Sequence, residues 1–367
     1  MKKTKLTVAI PTRNRLPFLR HTLEHMLSIR EPEDLEVTFA VSATSCDDLT
    51  PAYLDALSRN EARISVNTRQ TRWTRWNYIH LEKVVPSEAE WVWLFGDDDI
   101  IIDKHGWDRV SKIISMANSN DASLICIPQA KRVLEPEAIH ADTLINLCYR
   151  FGMHEAMGWI TSLIMRRDVF VGFIDAMRIR FSRARTDTGL NRSRVTPFFH
   201  SLELFKHHRN NVAILCLLKI VDEQIPPTDK KAHTAQSRTN EHLRHRLIYT
   251  FTEYLDILRS DARSRSIQFY RYVNKTFPDL MLNIIAEDLL MGVSRNTAQA
   301  SIDQLRSLIE FIEIHPNSRP FSEMLKVIEE IFQRNEEISP TNRLALEKIF
   351  ERTKTPYLGE FVTEYDE

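Results

Sequence analysis

The chain has 367 residues, 43% hydrophobic and 27% charged, with a net charge of -1 at pH 7. That composition belongs to a folded protein with a real core, long enough for two or three domains, and its neutrality excludes a global pull toward nucleic acid or anionic membrane. Only 8 glycines and four scattered cysteines (Cys46, Cys126, Cys148, Cys216) are present, which argues against glycine-rich phosphate loops, disulfide frameworks and CxxC metal sites, and for reduced thiols in the cytoplasm.

The first residues, MKKTKLTVAIPTRNR, are basic, but their apolar stretch is too short for a signal peptide. No run reaches the length of a membrane span, so any membrane contact is expected to be peripheral, at the inner face. Leu6 to Ile10 predicts a short strand ended by Pro11. Thr12-Arg13-Asn14-Arg15 follows as a polar loop, with Thr12 or Asn14 available to cap a helix over Leu16 to Arg30. Leu35 to Ser42 predicts a second strand, Thr50 to Arg59 a helix with Pro51 in its first turn, and Ile64 to Asn67 a third strand. Arg72 to Val84 predicts a helix rich in aromatics. Trp73 and Trp76 on it either stack on a ligand or fill the core.

Trp91 to Phe95 is an apolar, aromatic run and predicts a buried strand. Gly96 then frees the backbone, and Asp97, Asp98 and Asp99 follow in an apolar setting. Three such carboxylates repel one another and resist desolvation. A hard cation, Mg²⁺ or Mn²⁺, relieves both costs, and a solvated acidic turn is the alternative. Beyond them come a helix over Trp107 to Ala117, strands over Ala122 to Ile127, Gly158 to Arg166 and Asn211 to Val221, and helices over Asp168 to Ala176 and Thr196 to His208. Arg178 to Arg194 carries six arginines and few apolar residues and predicts a loop, suited to an acceptor diphosphate, an anionic surface or plain solvation. Residues 226–240 predict a linker or lid. From residue 241 to 367, apolar residues at three- and four-residue spacing predict an all-helical domain, a surface for packing or for a homo-oligomer.

Continuous apolar strands alternating with helices predict an α/β domain over residues 1–225, with a mostly parallel sheet covered by helices on both faces. Ligands of such sheets bind beyond the carboxyl ends of the strands. Two polar segments stand at such ends, Thr12 to Arg15 and Asp97 to Asp99. One supplies donors for phosphate and the other carboxylates for a cation, which is what a nucleoside diphosphate with a divalent metal needs.

VAIPTRNRLPFLRHTL and WVWLFGDDDII together resemble family 2 glycosyltransferases of the GT-A fold, in the abequosyltransferase-like branch of bacterial surface-polysaccharide assembly. GWITSLIMRRDVF and PFFHSLELF extend the resemblance over residues 5 to 225. It implies transfer of a sugar from a nucleoside-diphosphate donor to a hydroxyl of a glycan or lipid-linked acceptor. It also implies Mn²⁺ or Mg²⁺ at Asp97, Asp98 and Asp99. The donor would lie against Pro11, Thr12, Arg13, Asn14, Arg15, Arg72, Arg75, Asn77, Asp97 and Asp98. Ser42 and Ala43 stand where the family carries an acid that binds the nucleoside, with Asp47 and Asp48 displaced downstream. No Glu-Asp pair marks the base. Asp187, His200 and Glu203 are the candidates, with Glu155 behind them. His200 and Glu203 share a helix face, and His200 is alternatively a third metal ligand. The rival readings are a GT-A-like binding or scaffold protein without turnover and a metal-dependent phosphodiesterase. No nucleic-acid partner is expected.

Overall fold

The computed structural model describes residues 3–69, 76–128, 139–151, 156–186, 199–223, 282, 285–286, 289–290, 299, 302–303, 306, 319–333 and 339–353. The chain divides into two compact units, Met1–Thr186 with His200–Thr228, and Asp187–Phe199 with Asp229–Glu367.

The first unit carries β1 (Thr4–Pro11), α1 (Leu16–Ser28), β2 (Leu35–Ser42), α2 (Thr50–Asn60), β3 (Ile64–Asn67), α3 (Trp76–His80), β4 (Trp91–Leu94) and β5 (Asp99–Ile101). It continues with α4 (Gly106–Ser119), β6 (Leu124–Cys126), β7 (Ile139–Thr143), α5 (Leu144–Phe151), β8 (Leu163–Arg166), α6 (Arg167–Thr186), α7 (Phe199–His208), β9 (Val212–Cys216) and β10 (Val221–Glu223). Eight strands form one sheet in the order β3-β2-β1-β4-β8-β6-β9-β7, and β10 pairs with β5 in a separate two-stranded ribbon. β1, β2, β3 and β4 run parallel, as do β6 and β9, while β8 and β7 are antiparallel to their neighbours. The expected mixed α/β architecture with a mostly parallel sheet is therefore what the chain builds. Consecutive residues Leu6 to Ile10 of β1 and Trp91 to Leu94 of β4 are all buried, so both faces of the sheet centre are covered.

The core is aromatic where the sheet meets α4. Trp93 packs edge-on against Phe95 (centroids 5.0 Å) and Trp107 (6.2 Å), and Trp107 against Phe39 (6.5 Å). The Trp93 indole N–H donates to Thr161 O at 2.7 Å, so its polar end is satisfied inside the core.

Several boundaries differ from the sequence reading. Neither Thr12 nor Asn14 caps α1: its N-cap is Arg15, without a side-chain cap bond. The arginine-rich stretch is no loop from Arg178 to Thr186, because α6 continues to Thr186. Its buried Phe170, Phe173, Ile174, Met177 and Phe181 form one helical stripe, and Arg178 and Arg180 are held in ion pairs beside it. β8 covers only the second half of the strand expected over Gly158 to Arg166, the turn Ile160–Ser162 being a 3₁₀ helix. Residues 226–240 lie outside the described residues, as do Met153, His154 and Glu155 and most of the expected helices between 241 and 314.

In the second unit, α8 (Arg319–Gln333) and α9 (Pro340–Thr353) pack together, and Arg306 pairs with Glu329 at 2.7 Å. Among its described residues Leu282, Ile285, Ala286, Ile302, Leu325 and Ile328 are buried, the spacing expected of amphipathic helices. Among the described residues no helix is long and apolar enough to cross a membrane.

Candidate active site

At the carboxyl ends of β1 and β4 a cleft of about 310 Å³ is lined by Pro11, Thr12, Arg13, Arg15, Asn77, Tyr78, Gly96, Asp97, Asp98 and Ile160. Eight of these were singled out from the sequence, all but Tyr78 and Ile160. The two polar loops converge because their strands are neighbours: β1 pairs with β4 from Leu6↔Trp91 to Ala9↔Leu94, and Phe95 N continues the ladder to Ala9 O at 3.0 Å.

The first loop is held by backbone and side-chain bonds rather than by a helix cap. Thr12 N donates to Ser42 O at 2.9 Å. Asn14 takes a left-handed φ of 54° and accepts from Asp47 N at 2.9 Å, while Arg13 Nε donates to Ser45 O at 3.1 Å. Ser45 is also left-handed, at φ 59°. Two such non-glycine residues are the kind of backbone strain that surrounding contacts must hold in place, and these hydrogen bonds tie their two loops together. Asp48 is a local residue here, its Oδ1 accepting from Thr50 N at the start of α2.

Asn77 is a clamp. Its Oδ1 accepts from Thr44 N at 2.8 Å and from the Thr44 hydroxyl, and its Nδ2 donates to Thr12 O at 2.6 Å. The amide thereby ties the ends of β1 and β2, and it is buried.

The acidic turn splits its three carboxylates. Asp97 is 4% exposed and accepts from Thr12 Oγ1 at 2.6 Å. Burial pushes its pKa up to about 6, with Asp98 adding to the rise and Arg15 and Thr12 opposing it. Asp98 pairs with Arg15 Nη2 at 2.5 Å, and Arg15 Nη1 lies 3.1 Å from Asp97 Oδ1. Asp99, expected beside them as a cation ligand, is held by a different partner. It is 1% exposed and accepts a hydrogen bond from the Thr161 hydroxyl, whose oxygen in turn accepts from Gly96 N at 2.7 Å. Thr22 Oγ1, buried on α1, lies 3.0 Å from both Asp97 O and Asp99 O and supports the turn from below.

Gly96 is where a side chain is forbidden. A Cβ there would overlap Asp99 Oδ2 and crowd Asp98 Oδ1. Gly96→Ala is expected to cost about 1–3 kcal/mol through this overpacking, read as a lower urea midpoint at unchanged m-value.

Of the base candidates, His200 and Glu203 are described, and neither lines the cleft. His200 and Glu203 lie on α7, both buried. Burial drives the His200 pKa down to about 4, favouring the neutral imidazole, with the backbone at Met157 and Gly158 opposing that shift. Glu203 is committed to Arg180 Nε at 2.6 Å. Arg72, Arg75, Trp73 and Asp187 lie outside the described residues. Tyr78, Ile160 and Thr161 went unremarked in sequence. The threonine-serine pair inside the apolar run GWITSLIM was the one available sign of the last.

The oxygen donors suit a hard cation. Among the described residues no three His, Cys, Asp or Glu side chains converge as a metal cluster. Mg²⁺ and similar ions often use only one or two carboxylates, the rest being water and phosphate oxygens, and Asp97 and Asp98 meet that need.

No family model matches the chain, and no curated protein matches it. Among solved structures it is similar to S. aureus TarS 1-349, at 12% identity and TM-score 0.43 over 92% of this chain and 95% of that one. The same TarS fragment in complex with UDP gives 14% identity and TM-score 0.42, over 91% and 92%. The mannosyltransferase PcManGT from Pyrobaculum calidifontis, in complex with GDP-Man and Mn²⁺, gives 11% and 0.44, over 97% and 89%. Likenesses this distant assign no activity.

Proposed function

We propose that the chain is a glycosyltransferase that binds a nucleoside-diphosphate sugar in this cleft and transfers the sugar to a hydroxyl acceptor. One observation carries the reading: arginines at the end of β1 and carboxylates at the end of β4 meet in a single cleft at the carboxyl edge of a parallel sheet. Arg13 and Arg15 supply donors for the diphosphate. Asp97 and Asp98 would hold Mn²⁺ or Mg²⁺, which when bound neutralises the diphosphate leaving group. Asn77, Thr12 and Asn14 keep the loop that receives the donor in one shape. Asp187 is the remaining candidate for deprotonating the acceptor, with His200 and Glu203 placed in the interior. The motif resemblance is the support for an acceptor in bacterial glycan assembly and for a cytoplasmic site of action.

The second reading is a binding or scaffold protein without turnover. The pairing of both Asp97 and Asp98 with Arg15 favours it, since the carboxylates then need no cation. Titration calorimetry against UDP, GDP, CDP and dTDP, with Mn²⁺ and with EDTA, separates the two. Glycosyl transfer requires metal-dependent binding of one nucleotide, weakened at least roughly tenfold by Asp98→Asn. A folded protein that binds none of the four belongs to the scaffold reading.

A further inference from the structure

We propose, resting on the reading above, that Arg15 is a built-in rival of the divalent cation: it holds Asp97 and Asp98 until a diphosphate draws it away, so that metal and diphosphate bind cooperatively.

One guanidinium bridges two carboxylates, with Nη1 3.1 Å from Asp97 Oδ1 and Nη2 2.5 Å from Asp98 Oδ2. The Arg15 side chain is 33% exposed, against 6% for Asp97 and 17% for Asp98. It therefore covers the carboxylates from the solvent side, the side from which a cation enters. Arg15 thereby occupies one oxygen of each carboxylate to which a cation would bind.

Arg15 also has somewhere to go. It sits at the N-cap position of α1 without a side-chain cap bond, and its guanidinium carbon lies 4.7 Å from the centroid of the Phe18 ring, which supports the fork only by a cation–π contact. It lines the same cleft as Arg13. A diphosphate offers the planar fork a bidentate partner of higher charge than one carboxylate. Each ligand then releases what the other needs, and linkage makes the coupling reciprocal.

The opposite signs of the two effects of one substitution make the test. Arg15→Gln is expected to bind Mn²⁺ alone about tenfold more tightly than the wild type, measured by electron paramagnetic resonance of the free ion without nucleotide. The same variant is expected to bind inorganic pyrophosphate in EDTA about tenfold more weakly by calorimetry. A residue with a merely structural role shifts both in one direction. Arg15→Lys, which keeps the charge and loses the fork, is expected to lie between, and it carries the test if Arg15→Gln fails to fold by circular dichroism. Unchanged or weakened Mn²⁺ affinity in the folded variants, or no Mn²⁺ binding to wild type and variants alike, overturns the proposal. If none of the four nucleotides binds, glycosyl transfer fails as a reading, and the manganese titration still decides on Arg15 by itself.

Discussion

Replacing Arg180 by alanine is expected to destabilise the sheet-bearing unit by about 3–5 kcal/mol. Arg180 reaches from α6 to Glu203 on α7 at 2.6 Å, and the two side chains are 17% and 6% exposed. Removing the arginine leaves a carboxylate among Leu202, Leu204 and Phe205, all buried neighbours on its own helix. His207, half exposed and 3.5 Å away, is a partial substitute that works only when protonated. The pair itself contributes little net stability, because desolvating both charges cancels most of their attraction. The double variant Arg180→Met with Glu203→Leu is therefore expected to recover most of the loss, and a double-mutant cycle in urea measures the difference. A loss below about 1 kcal/mol for Arg180→Ala would mean that water reaches Glu203, as in a surface pair. The same result would return Glu203 to the candidates for a base, which a carboxylate locked to an arginine is not.

This pair also shows where sequence reading stops. The order strand, polar loop, helix around Leu6 to Ser28 was legible, because β-branched residues, Pro11 and a helical apolar stripe succeed one another without conflict. So was the acidic turn after β4, because an unbroken aromatic run followed by glycine has few alternatives. What was not legible is which partner each aspartate takes. Asp99 is decided by Thr161, 62 residues later, and by the antiparallel insertion of β8 beside β4. Nothing local to Asp97, Asp98 and Asp99 encodes that partner. The stretch Arg178 to Thr186 misled for a different reason. Its four arginines outweighed a stripe, Phe170 to Phe181, that was present in the sequence at helical spacing. Ion pairs from Arg178 to Glu82 at 2.6 Å and from Arg180 to Glu203 accommodate the charges on a packed helix. β7 was missed because it is an edge strand with none of its five residues buried and two exposed, so it lacks the apolar continuity of the central strands.

His200→Gln is expected to remove part of the protein's acid sensitivity. Burial holds the His200 pKa near about 4 in the folded state, against an ordinary 6.5. Above pH 6.5 the ring is neutral whether the chain is folded or not, and it contributes no pH dependence. Between 6.5 and 4 the unfolded chain takes up a proton that the folded chain refuses, so stability falls as pH falls. The loss reaches about 2 kcal/mol at pH 5 and levels off near about 3 kcal/mol below pH 4, where both states are protonated. Asp97 works in the opposite direction. Its folded pKa is raised to about 6, so acidification through that value relieves a buried charge and favours the folded state. The wild-type profile is thus a difference of two trends, and the total slope alone is uninformative. Comparing urea unfolding of wild type and His200→Gln at pH 7.5 and pH 5 isolates the histidine, since Asp97, His80 and His208 are common to both proteins. The variant is expected to lose about 2 kcal/mol less on acidification than the wild type, whatever its stability at pH 7.5. Equal losses in the two proteins would show that the folded state protonates His200 readily. Water then reaches α7 at that point, and the imidazole becomes available for chemistry again.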